Sequence, residues 1–144
     1  MWSILYDRAV TPLMETAVLA ANRAFYQAFA ERNVGAMLQL WAREHVVACI
    51  HPGWAPLHGS EAVLASWKAI LGSPEAPRIR FTDPAAVVFG EAALVTCVEH
   101  VRDAELAATN VFALENGEWR LVHHHAGPMA SAGESRRPIV TALN

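Results

Sequence analysis

The sequence predicts an α+β fold in which a curved antiparallel sheet wraps over three N-terminal helices. Three observations lead there. Apolar residues recur at three-to-four spacing in the first half of the chain. After Arg78 the pattern is one of long strand-like runs separated by turn signals. Several of those runs, "AAVVF" and "AALVTCV" among them, are apolar on both faces, so each face of the sheet needs cover.

The segment from Pro12 to Ala30, "PLMETAVLAANRAFYQAFA", places Leu13, Ala17, Ala20, Ala24 or Phe25, Ala28 and Phe29 along one helical stripe. Thr11 is positioned to cap it, with Pro12 at the first helical position. A short helix, "VGAMLQLWA", follows the expected cap Asn33. "HVVACI" reads as a strand and leads into "HPGWAPLHG", where the density of Pro and Gly predicts a loop. Ser60 opens a third helix, "SEAVLASWKAIL", which Gly72, Ser73 and Pro74 stop. Four strands follow, the first broken at Asp83-Pro84 by a bulge or kink. Turns are expected at Gly90-Glu91, near Asp103-Ala104 and at Asn116-Gly117. Residues 1–128 form one domain on this reading, and 129–144 a C-terminal tail that is loose or packs on a partner.

The chain has 144 residues, 53% of them apolar and 17% charged, enough to bury a core and more than one apolar face. A net charge of −3, with scattered Lys and Arg, gives no basis for nucleic-acid binding. "MWSILYDR" lacks the basic lead of a secretory signal, and no apolar run is long enough to span a bilayer. Cys49 and Cys97 sit in apolar strand-like runs, which suits small buried thiols in a reducing cytoplasm.

The segment with most chemical potential is "WRLVHHHAG". Asn-Gly between two strand-like runs is a strong hairpin signal and sets a register. Leu114 then faces Trp119, Phe112 faces Leu121, Asn110 faces His123 and Ala108 faces His125. Because side chains alternate across a sheet, the triplet divides. His123 and His125 fall on the face of Asn110, Phe112 and Leu121, and His124 on the opposite, solvent or interface face. The expected result is an apolar cup with a polar end, the form of a small-molecule site. On the preceding strand, a two-residue loop sets Cys97 against Asn110 and Glu99 against Ala108, with Glu99 on the cup side. A loop one residue different in length would substitute His100.

With these pieces in place the chain resembles the SnoaL-like domains of the nuclear transport factor two-like superfamily. It is most similar to bacterial relatives of the calcium/calmodulin-dependent protein kinase II association domain. The resemblance spans about residues 12–128 and rests on "IHPGW…LHGSEAV…SW", "VTCVEH", "ATNVF" and the Trp119, His123, His125 spacing. It implies a cone with a deep pocket between sheet and helices, and a homodimer formed through the sheet's outer face. Carried over by position, the pocket would draw on His51, Trp54, Trp67, Glu99, Asn110, His123 and His125. The paired acids and tyrosine of the family's steroid-isomerising members are not found.

As an enzyme, the domain would be a cofactor-independent isomerase, cyclase or dehydratase. His123, His125 and Glu99 would be its catalytic groups, because imidazole and a desolvated carboxyl both carry protons near neutral pH. His51, Trp54, Trp67 and Asn110 would then bind ligand. The primary reading is simpler, a domain that binds a small, partly apolar organic molecule; a pure dimerisation or hub module is the third. His51, His123 and His125 supply nitrogens but no securely placed carboxylate, so no metal is expected. Nor is any cofactor, since neither a phosphate-cradling Gly loop nor a paired nucleophile is present.

Overall fold

The computed structural model describes residues 2–130, the backbone alone over 2–9. The tail assigned to 129–144 therefore lies almost wholly outside the described residues. Three helices, α1 (Trp2–Ala30), α2 (Val34–Leu40) and α3 (Ser60–Gly72), pack on a six-stranded sheet. The strands are β1 (Ala48–Ile50), β2 (Leu57–His58), β3 (Ile79–Phe89), β4 (Ala92–Val101), β5 (Ala104–Glu115) and β6 (Glu118–Pro128), in spatial order β2-β1-β6-β5-β4-β3. The sheet is curved and open, and mixed rather than wholly antiparallel, because β1 runs parallel to β6. Among the described residues no helix is long and apolar enough to cross a membrane.

Local chemistry accounts for most boundaries. Asn33 caps α2, its side chain accepting from the Ala36 amide at 3.0 Å. Asn116 and Gly117 take φ of 50° and 79°, the two positive values a tight hairpin requires. Asp83 lies at the expected bulge in β3, with φ of 56° where the pairing to β4 shifts between Thr82 and Ala85.

Three expectations need correction. α1 runs through Pro12 instead of starting there, so the ladder lacks one bond to the carbonyl four residues earlier. Its buried stripe is also rotated. Val18, Asn22, Phe25, Tyr26 and Phe29 face the core, while Leu13 is 70% exposed. Finally, the loop after β1 contains the short strand β2, paired antiparallel through Ala48–His58 and Cys49–Leu57. Pairing to an existing edge overrides the local breakers there.

The decisive feature for function is a bulge in β6. Pairing with β5 follows the expected register from Glu115–Glu118 as far as Phe112–Leu121, then resumes at Val111–His123, leaving Val122 as an extra residue. The interruption falls where β6 changes partner on its other edge. Leu121 accepts from the Ala42 amide at 2.9 Å and bridges to Trp41, whereas β1 pairs from His123 onward. One added residue reverses every side chain beyond it.

Candidate functional site

Because of that bulge, Asn110 stands opposite His124, not His123. His124 is buried on the core face with Leu121 and Ala126. His123 and His125 occupy the other face, half-buried and exposed respectively, and His123 Nδ1 lies 3.1 Å from the Ala48 carbonyl. The expected pair is thus replaced by the one histidine assigned to the outside. On β4 the turn at Arg102-Asp103 sets Glu99 opposite Leu106 and Cys97 opposite Ala108. That differs from the expected partners by two positions, which preserves the face, so Glu99 points inward.

These side chains meet residues of α1. Asn22 and Tyr26 lie one turn apart and are buried against β4 and β5. The Tyr26 hydroxyl donates to Glu99 Oε2 at 2.6 Å and accepts from Asn110 Nδ2 at 3.2 Å. Cys97 Sγ is also 3.2 Å from that hydroxyl. Asn110 Nδ2 donates to Asn22 Oδ1 at 2.8 Å, and Asn110 Oδ1 lies 2.6 Å from His124 Nδ1. With the amide nitrogen committed, Asn110 Oδ1 can only accept. His124 therefore carries a proton on Nδ1 and, when neutral, leaves Nε2 as a bare acceptor. Nε2 is 3.9 Å from Glu99 Oε2, too far for a direct hydrogen bond.

Glu99 and His124 line the polar end of a cavity of about 300 Å³, together with His51. The remaining wall is apolar, formed by Phe29, Trp54, Ile70, Ile79 and Leu106 among others. His51 follows β1, its Nε2 2.8 Å from Ser66 Oγ on α3. Ser66 itself donates to the Val63 carbonyl at 2.6 Å, so His51 Nε2 is the donor and Nδ1 the acceptor, 3.9 Å from Cys49 Sγ. Trp54, 47% exposed, sits at the mouth with its ring 4.8 Å from His51. Trp67 is buried behind the site, 4.8 Å from His51 and 5.7 Å from His124 ring to ring, and does not reach the cavity surface. Asn110 likewise holds His124 from behind.

Burial sets the proton chemistry. Desolvation pushes the Glu99 carboxyl up, the Tyr26 hydrogen bond pulls it partly back, and it settles at about 7. Desolvation lowers His51 to about 4. It also lowers His124, helped by repulsion from His51, His123 and His125, to about 3. Burial raises the Cys49 and Cys97 thiols to about 12 and 11, which leaves them protonated and unreactive. The site thus combines one group that exchanges protons near neutrality with two imidazoles that stay neutral. Among the described residues no cluster of three His, Cys, Asp or Glu is arranged to hold a metal ion.

Sequence reasoning found His51, Trp54 and Glu99 as cavity residues and missed His124, Tyr26, Asn22 and Ser66. Asn22 and Tyr26, four apart within an apolar helical stretch, were the available signal for a polar patch on α1. Tyr26 against Glu99 supplies one acid with a tyrosine; among the described residues that line the cavity Glu99 is the one carboxyl.

Three helices on a curved, open, six-stranded mixed sheet define the class of fold. The SnoaL-like domain family matches residues 18–131, and the chain belongs to that family. It is similar to the crystal structure of a candidate dehydratase of the NTF2-like family from Streptomyces avermitilis. The two are 33% identical with a TM-score of 0.76, over 84% of this chain and 99% of that one. It is also similar to a candidate calcium/calmodulin-dependent protein kinase type II association domain from Thiobacillus denitrificans. There the identity is 35% and the TM-score 0.70, over 77% of this chain and 94% of that one. The F-box protein SKIP8 of Arabidopsis thaliana is 28% identical over 115 residues, 78% of this chain. The chain spans about half the length of that curated relative.

Proposed function

We propose that the cavity binds a small, largely apolar organic molecule and that Glu99 moves a proton on it, as in dehydration or isomerisation beside a carbonyl. The observation that carries this reading is the placement of Glu99 and His124 at one end of an otherwise apolar cavity of about 300 Å³. A carboxyl held near 7 exists in both forms at neutral pH, the condition under which one group can serve as acid and base. The neutral imidazoles orient the ligand by accepting hydrogen bonds. The similarity to a candidate dehydratase supports the same chemistry.

The test uses 2-tetralone, an apolar ketone with exchangeable α-protons, in deuterated buffer at pH 8. The protein should accelerate loss of the α-proton NMR signal; Glu99→Gln should abolish the acceleration, and Leu106→Trp, which fills the cavity, should do the same. Exchange at the buffer rate, or an unchanged rate in Glu99→Gln, would overturn the proposal.

The outer face of the sheet supports a homodimer. Leu94, Val98 and Val111 lie there half-buried among Thr96 and Thr109, a surface that a second copy would cover. Val98→Glu with Val111→Glu should then convert a dimer to a monomer in sedimentation velocity. A wild-type chain that sediments as a monomer would contradict it.

A further inference from the structure

We infer that the cavity selects uncharged ligands carrying a hydroxyl donor, and rejects carboxylates, because Asn110 locks His124 as an acceptor beside Glu99. This deepens the proposed function and rests on it. The lock is a chain of committed donors. Asn22 Oδ1 and the Tyr26 hydroxyl both take hydrogen bonds from Asn110 Nδ2, which turns Asn110 Oδ1 to His124 Nδ1. Tyr26 passes its own proton to Glu99. Turning the Asn110 amide alone would set donor against donor at His124 Nδ1 and acceptor against acceptor at Asn22.

The gap between His124 Nε2 and Glu99 Oε2 then specifies the ligand atom. At 3.9 Å the two do not bond to each other. A hydroxyl oxygen about 2.8 Å from each spans the gap and reaches both groups. It donates to His124 Nε2, which has no proton to offer, and accepts from Glu99 when that carboxyl is protonated. An ether or ketone oxygen satisfies Glu99 but leaves His124 without a donor. An anion meets a lone pair on His124 and a carboxyl on Glu99. Among the described residues, no Lys or Arg lines the cavity to compensate. His51 has no proton to offer an anion, since its Nε2 proton is given to Ser66 and its Nδ1 lies 3.9 Å from Cys49 Sγ.

Three naphthalene probes of nearly equal shape separate the cases by equilibrium binding to the full chain at pH 6. The expected order is 2-naphthol tightest, 2-methoxynaphthalene about tenfold weaker for want of a donor, and 2-naphthoate weaker again. In parallel, long-range ¹⁵N–¹H NMR of labelled protein should show His124 as the Nδ1–H tautomer. Asn110→Asp, which pairs a carboxylate with His124 and favours its imidazolium, should narrow or invert the preference for 2-naphthol over 2-naphthoate. Equal affinity for 2-naphthol and 2-methoxynaphthalene, tighter binding of 2-naphthoate by the wild type, or an Nε2–H tautomer would each overturn the inference. If none of the three probes binds, the cavity reading itself falls, and the inference with it; the tautomer is read without any ligand.

Discussion

Two glutamates on neighbouring strands are both buried, and the fold treats them in opposite ways. Glu99 on β4 receives one hydrogen bond, from Tyr26, and its carboxyl is held at about 7. Glu115 at the end of β5 accepts the backbone amides of Arg43, Glu44 and His45 at 2.9, 3.0 and 3.0 Å, and His45 Nδ1 lies 2.7 Å away. Desolvation pushes Glu115 up as well, but the three amides and His45 outweigh it and bring it to about 2. Exclusion from solvent alone therefore does not decide the charge of a carboxyl: desolvation outweighs the one donor at Glu99, and the donors outweigh it at Glu115. Glu115 is a staple, fixing the turn after α2 against the hairpin end of β5. Glu99 is left short of donors at a cavity, as a group that must gain and lose a proton would be.

Removing the staple should have the largest effect. Glu115→Ala strands three backbone amides and should cost about 3 kcal/mol or more in urea denaturation at pH 7. Because the folded carboxyl titrates far below its ordinary value of 4.5, its contribution is present above pH 4.5 and is lost as pH falls toward 2. The variant's penalty should shrink in that window, and an equal penalty at pH 7 and pH 3 would break the contrast.

Glu99 should behave in the reverse sense. A carboxyl raised from 4.5 to about 7 disfavours the folded state as pH climbs through that interval, when it must ionise away from water. The groups facing it are Tyr26 from α1, Cys97 on its own strand, His124 from β6 and Cys49 from β1. None is a cation at neutral pH. Glu99→Gln should therefore stabilise the chain at pH 8, by about 3 kcal/mol at the upper end, and change little at pH 4.5. Destabilisation at pH 8 would show that the carboxylate is better solvated than its surroundings suggest.

Smaller effects refine the donor count. Tyr26→Phe removes the hydroxyl that donates to Glu99 and should move its midpoint above 7, observable by ¹³C NMR of the labelled carboxyl, at a stability cost of about 1–2 kcal/mol. His45 has a side chain 52% exposed, so His45→Ala should cost less than about 1 kcal/mol and leave Glu115 depressed by the three amides that remain. A Glu115 restored to its ordinary range by that single change would overturn the staple as described.

The helices, the hairpin at Asn116-Gly117, the Asp83 bulge and the inward face of Glu99 were all legible, because each depends on local chemistry or on parity. Glu99 survived a two-position error in its partner for that reason. The histidines did not, because Val122 carries no local signal of a bulge. It arises where one edge of β6 passes from Trp41 and Ala42 to β1, a long-range event that alternation cannot register. Asn22 and Tyr26 were hidden differently. The stripe expected along α1 ran through Leu13, Ala17 and Ala20, and only its rotation in the structure brings both residues onto the core face.

The central claim is that this one added residue turns His124, and not His123 or His125, into the cavity. Binding of 2-naphthol to three forms of the folded chain tests it most directly. The double variant His123→Gln/His125→Gln should bind as the wild type does, and His124→Gln about tenfold or more weaker. Undiminished binding in His124→Gln, with loss in the double variant, would contradict the account.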